Sequence, residues 1–253
     1  MTSSSRFATA FASLFALPAL LSSAAPSLAA APACSARSGA VAPTVVELYT
    51  SEGCNSCPPA DRWLARLKAD PAIVALAFHV DYWDRLGWKD RFASPLYTQR
   101  QAQQQRVSGA RFSYTPQVIV DGVDRPDWPR ASLGAARPAA VEVQLSREGA
   151  RVTAMVRASK GAPARLAAYW AVTEHGHVSA VKAGENEGVT LTHEAVVRDY
   201  RPVPAWDAAG AAAQTLQFEL AVPAADPAHE RQVVLVIVDA GSGRPVQAAK
   251  LGC

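Results

Sequence analysis

The sequence predicts an α/β domain over residues 34–135, followed by an all-β, sandwich-like domain over 136–253. Three observations carry this reading. From 44 to about 124, β-branched apolar runs alternate with stretches of helical spacing, in the order strand, helix, strand, helix, strand, strand. The segment 130–138 is rich in Ala, Gly and Pro, and after it the apolar pattern changes to period two, with no convincing helix. A Cys-x-x-Cys, formed by Cys54 and Cys57, falls between the first strand and the first helix. The composition of the 253 residues, 49% hydrophobic and 19% charged, is that of a globular chain and excludes a disordered or fibrous one. With 25 Lys and Arg against 22 Asp and Glu, the net charge of +3 leaves no electrostatic footprint for nucleic acid. No block of like charge would hold the chain on an anionic membrane.

The elements follow in order. Arg6 is the one charged residue before Arg37, and an apolar run over 7–21 leads to small residues through Ala33. A basic start, a short apolar run and an Ala-x-Ala exit describe a secretory signal peptide over 1–33. The run contains Pro18 and is shorter than the ~20 residues a membrane span needs. The expected location is therefore periplasmic or secreted, off the membrane after cleavage, where disulfides persist. Residues 44–50 (TVVELYT) read as a buried strand and 51–57 as a turn. A helix is predicted over 58–68, with Ala60, Trp63, Leu64 and Leu67 on one side. Its leading prolines are tolerated because the first helical amides have no partner within the helix. Residues 73–80 form a second buried strand, and 81–93 an aromatic, acidic loop. Ser94 and Pro95 open the next helix as N-cap and first residue, and Gly109 ends it. A strand over 117–120 turns at Asp121-Gly122 into a short partner. Strands over 141–145, 151–157, 165–172, 216–222 and 233–238 complete the expected antiparallel sandwich.

Four cysteines allow three pairings. Proximity favours Cys54 with Cys57. That leaves Cys34 and Cys253 as a staple joining the two ends, or as free or intermolecular thiols. A cysteine at a helix N-terminus has its thiolate stabilised by free amides and the macrodipole. Cys54 is thus read as the attacking thiolate, and Cys57 as the group that resolves a mixed disulfide. Thr115-Pro116 directly precedes the strand over 117–120, and X-Pro is the one common route to a cis peptide bond. The strand–turn–helix setting of the cysteines, together with this Thr-Pro, resembles thioredoxin-like domains. There a cis proline packs against the cysteines and offers backbone to an extended substrate. VVELYT resembles the first central strand of such domains, which places Glu47 on the buried acid that relays protons. The sequence departs from thioredoxin itself in having Gly53 before the pair, Asn55-Ser56 within it and Pro58-Pro59 after it.

Longer stretches resemble a family of secreted bacterial proteins of unknown function: LYTSEGCNSCPPAD, FHVDYWDRLGWKDRFASPLYTQRQ, YTPQVIVDG and GENEGVTLTHEAVVRDYRPV. The resemblance implies a thioredoxin-like domain followed by a β-sandwich-like one, with the family's cysteines at Cys54 and Cys57 and its Thr-Pro at Thr115 and Pro116. It implies fold more firmly than activity. Parallel pairing of the first two strands puts their C-terminal ends on one edge, so the loop 81–90 lies beside Cys54. Tyr82, Trp83 and Trp88 would then wall a partner site, with Asp81, Asp84 and Lys89 orienting the partner or tuning the thiolate; the alternative is a self-packed loop. The function expected is thiol–disulfide exchange on protein thiols or disulfides, without a cofactor. Two alternatives stand beside it: a secreted binding protein in which Cys54–Cys57 is a static disulfide, and a copper carrier using Cys54, Cys57 and His79. His175-Gly-His177 reads as an exposed turn, and His193 as a packed or interface histidine.

Overall fold

A computed structural model describes residues 1–2, 34–133, 137–209, 212–221 and 226–253. The expected signal peptide, beyond its first two residues, lies outside the described residues. The chain begins with β1 (Cys34–Arg37), β2 (Val41–Ala42) and β3 (Thr44–Thr50). It continues through α1 (Pro58–Leu67), β4 (Ile73–His79), α2 (Pro95–Ser108), β5 (Gln117–Val120) and β6 (Val123–Asp124). Strands then follow one another: β7 (Arg137–Pro138), β8 (Val141–Glu148), β9 (Arg151–Ala158), β10 (Arg165–Glu174) and β11 (His177–Ala180). The last are β12 (Thr190–His193), β13 (Val196–Asp207), β14 (Gln214–Glu219), β15 (Arg231–Asp239) and β16 (Pro245–Leu251).

Local chemistry sets the helix ends. Two prolines occupy the first turn of α1, where no amide needs a partner. The Ser94 hydroxyl accepts the Leu96 amide at 3.2 Å to cap α2, and Gly109 closes it in a left-handed conformation at φ 80°.

The expected pair of folds, an α/β thioredoxin-like domain followed by a separate sandwich, is not what forms. The molecule is mostly β, with two α-helices among the described residues. Strands from both halves join one eight-stranded mixed sheet, ordered β16-β15-β10-β13-β4-β3-β5-β6. The seam lies where β13 runs parallel to β4, with Val196 opposite Ala77 and the Ala77 amide donating to the Ala195 carbonyl at 2.8 Å. A second, four-stranded antiparallel sheet has the order β1-β8-β9-β14.

The cause is visible in β10, where Leu166 and the unbroken run Ala168–Glu174 are buried. A sandwich strand would bury alternate residues; this one is covered on both faces. Leu166, Trp170 and Val172 pack with Val143, Leu145 and Phe218 of the four-stranded sheet. Tyr169 and Ala171 turn the other way, into a core with Tyr49, Phe78 and Tyr97. A third cluster lies under α1, where Ala60, Trp63 and Leu64 meet Val46, Leu48 and Val118.

Candidate functional site

Strand β3 ends at Thr50, and the next seven residues turn the chain into α1. The Cys54 amide donates to the Ser51 carbonyl and the Cys57 amide to the Cys54 carbonyl, both at 3.2 Å. Cys54 and Cys57 are joined in a disulfide with their Cα atoms 5.4 Å apart. Cys57, rather than Cys54, is the N-cap of α1. The Cys54 sulfur lies 3.4 Å from the Ser56 hydroxyl, which can donate to a thiolate there. Both cysteines are 0% exposed.

Three of the sequence's candidate segments meet at this turn. The Thr115–Pro116 peptide is cis. The Trp83 indole N–H donates to the Thr115 hydroxyl at 2.8 Å, tying the aromatic loop to that Thr-Pro. Gly53 faces the same tryptophan so closely that a Cβ built there would stand 3.0 Å from the Trp83 Cβ. Trp88 donates from its indole to Glu52 at 2.6 Å. Asp81 accepts from the Thr98 hydroxyl at 2.6 Å, and Tyr82 packs half-buried against the core around Tyr49 and Phe78. The loop is therefore packed on its own protein at most of the positions read as partner contacts.

Glu47 stands elsewhere. Side chains alternate along β3, and Glu47 shares its face with Val45 and Tyr49, whereas Val46 and Leu48 face α1. Its carboxylate pairs with Arg100 of α2 at 2.5 Å and accepts from the Tyr49 and Tyr169 hydroxyls at 2.6 and 2.7 Å. It is a buried ion-pair hub on the face away from α1, not an acid under the cysteines. The acid on the cysteine side is Asp61, one helical turn after Cys57. It is half-buried beside Thr50, whose hydroxyl donates to it at 3.2 Å. Burial raises the Asp61 pKa, and the His79 and His193 imidazoles only partly offset this.

A buried network of histidines and acids lies behind the turn. His79 contacts Asp90 at 2.7 Å, and the same Asp90 oxygen accepts the Glu52 amide at 2.9 Å. Burial alone would push the His79 pKa down and the Asp90 pKa up, but their mutual attraction wins. His79 is raised, and Asp90 is lowered to about 2. Glu52 is fully buried with His193 at 3.2 Å. Burial would raise its pKa, but the nearby His193 and Ser179 and the bond from the Trp88 indole bring it below the ordinary value. The His175-Gly-His177 pair is not an exposed turn: both side chains are buried, contacting Glu194 and Glu174 at 3.1 and 3.0 Å. No sequence spacing announces this network, because its histidines stand on β4, β11 and β12, far apart along the chain. Among the described residues no group of three or more His, Cys, Asp or Glu side chains is placed to hold a metal ion, so a site built on Cys54, Cys57 and His79 is not formed.

The tip of the β11–β12 hairpin is bonded to the turn. Asn186, 5% exposed, donates through its side-chain amide to the carbonyls of Glu52 at 2.8 Å and Cys54 at 3.0 Å. Glu185 accepts the Asn55 amide at 3.2 Å. Cys34 and Cys253 form the second disulfide, with Cα atoms 6.0 Å apart, so all four cysteines are paired.

A family model described as "Protein of unknown function (DUF1223)" matches residues 45–238, most of the chain. The chain belongs to the DUF1223 family. The matched span contains Cys54, Cys57, Thr115, Pro116 and Asn186, and it excludes the Cys34–Cys253 disulfide. Among solved structures, a protein from Agrobacterium tumefaciens is 29% identical and superposes with a TM-score of 0.59, covering 82% of this chain and 93% of its own. HBP35 of Porphyromonas gingivalis is 15% identical with a TM-score of 0.59, covering 85% of this chain and 76% of its own, a likeness of fold alone. No curated protein matches the sequence.

Proposed function

We propose that this DUF1223 protein carries out thiol–disulfide exchange through Cys54 and Cys57. The observation that carries the reading is the convergence of a Cys-x-x-Cys disulfide at a helix N-terminus with Thr115-Pro116 and the Trp83 loop. In the reduced form a Cys54 thiolate, with the Ser56 hydroxyl beside it, attacks one sulfur of a client disulfide and releases the other as a thiolate. Cys57 then attacks the Cys54 sulfur, frees the second client thiol and restores the internal disulfide. Two electrons pass to the client, and the reverse sequence oxidises a client dithiol. We assign acceptance of the Cys57 proton to Asp61, half-buried one turn beyond Cys57 with a raised pKa. The clients are protein thiols or disulfides in an oxidising compartment, a location supported by the pairing of all four cysteines.

Complete burial of both sulfurs favours a second reading, in which Cys54–Cys57 is a static staple in a binding protein. Equilibration of the Cys54–Cys57 pair in glutathione buffers decides between the two, read by alkylation and mass spectrometry at those residues. The exchange reading expects a potential between about −270 and −120 mV and a Cys54 thiol pKa below ~7. It also expects that Cys54→Ser abolishes reduction of a protein disulfide. A pair that stays oxidised below about −300 mV would establish the staple.

A further inference from the structure

Exchange at a disulfide requires the incoming sulfur to approach along the S–S axis, yet neither Cys54 nor Cys57 has exposed surface. Something over the pair must move. Two segments contact the turn that carries it, and they are held differently. Trp83 is bonded to Thr115 and lies against the apolar core around Tyr49 and Phe78. The β11–β12 tip reaches the turn through Asn186 and Glu185. On either side of these residues stand Gly184 and Gly188, both left-handed at φ 78° and 81°, while Glu185, Glu187, Gly188 and Val189 are exposed. The tip is thus a short polar strap between two glycines, fixed at its centre by the buried Asn186 and resting at Gly184 against Leu86 and Trp88.

We propose that the tip of the β11–β12 hairpin is a gate over the Cys54–Cys57 pair, with Asn186 as its latch and Glu185 as a second, weaker one. The inference rests on the reading of that pair as an exchange centre. Both latches hold backbone groups: two carbonyls and one amide. Those groups are the same in the disulfide and the dithiol, so the latch does not discriminate between redox states. It follows that the gate sets the rate of exchange in both directions and leaves the equilibrium where the sulfurs put it. Clients are thereby restricted to chains able to displace the tip and occupy its place beside the turn.

The test is reduction of the intact protein by dithiothreitol. A dithiothreitol thiolate attacks the Cys54 sulfur and Cys57 leaves as a thiolate. The second dithiothreitol thiol then frees Cys54 and closes the cyclic disulfide. Time points are alkylated and quantified at each cysteine, with Cys34–Cys253 as the internal standard. Asn186→Ala, which removes two hydrogen bonds, is expected to speed reduction of Cys54–Cys57 about tenfold. Glu185→Ala, an exposed change that spares the core, is expected to speed it about threefold. In both, the rate at Cys34–Cys253 and the Cys54–Cys57 equilibrium constant in glutathione should match the parent protein. The gate is overturned if the folded Glu185→Ala protein is reduced at the parental rate, or if a faster rate comes with an equally shifted equilibrium constant. Should Asn186→Ala not fold, Glu185→Ala alone decides. A potential below the exchange range would defeat the catalytic reading and leave these rates interpretable, so the two failures are distinct.

Discussion

Glu47 shows how much a single residue's place depends on parity. Strand side chains alternate, so a one-residue offset between sequence and resemblance moves a side chain to the opposite face of the sheet. The strand itself was legible in TVVELYT; the face was not, because nothing local says which face meets α1 and which meets α2. Buried with Arg100 and three tyrosines around it, Glu47 compensates a charge that would otherwise stand unpaired in the core. Glu47→Ala should therefore destabilise the fold by about 3–5 kcal/mol, read as a lowered urea midpoint. A relay acid would instead slow exchange and spare stability. The His79–Asp90 pair makes a separate prediction. His79 has a raised folded pKa, so its contribution is complete below the unfolded value of ~6.5 and is lost as pH rises through the folded value. Asp90 is lowered to about 2, so its contribution is complete above the unfolded value of ~3.9 and is lost as pH falls toward 2. The stability difference between the parent and Asp90→Asn should be largest between about pH 4 and 6.5, shrinking on both sides. A difference flat from pH 3 to 9 in urea titrations would contradict the pairing.

Elements with local signals were legible, and those defined by distant partners were not. α2 has its limits written into its ends, Ser94-Pro95 and Gly109, and the structure uses both. Ser94→Ala should cost about 1 kcal/mol, measured by thermal unfolding, because the Leu96 amide loses its acceptor. β13 is the opposite case. It contains Pro202 and Pro204, which argue against a central strand, and the strand it meets, β4, lies more than a hundred residues earlier. β11 and β12 are four residues each, too short for a period to register. Their consequence for the site is large all the same, since they bring His193 to Glu52 and Asn186 to the Cys54 turn. The cysteines, Thr115-Pro116 and the aromatic loop could be read from sequence as neighbours because strand order places them at one sheet edge. The cover over them could not, since it comes from the other half of the chain.

At the scale of the molecule, the change in pattern near 130–138 suggested a domain boundary, yet the sheet does not respect it. Hydrogen bonding continues from β3 and β4 into β13, β10, β15 and β16. The Glu47 hub repeats the connection through side chains, taking Arg100 from α2 and Tyr169 from β10. A further tie is covalent and joins the two sheets: Cys34 on β1, in the four-stranded sheet, is bonded to Cys253 beyond β16 of the eight-stranded one. The first half cannot lose its fold without exposing the edge of β13 and leaving the Tyr169 and Tyr200 hydroxyls without Glu47 and Arg100, so the halves should unfold together. Calorimetry should give one transition, with equal calorimetric and van't Hoff enthalpies. Replacing Cys34 and Cys253 together by serine removes a loop-closing constraint on the unfolded chain and should lower stability by about 2–5 kcal/mol. The transition should stay single, because the sheet and the Glu47–Tyr169 and Arg100–Tyr200 hydrogen bonds still couple the halves. Two resolved transitions in the serine variant would mean that the disulfide alone had held the four-stranded sheet to the eight-stranded one, and the core of Leu166, Trp170 and Phe218 between them would then contribute little to cooperativity.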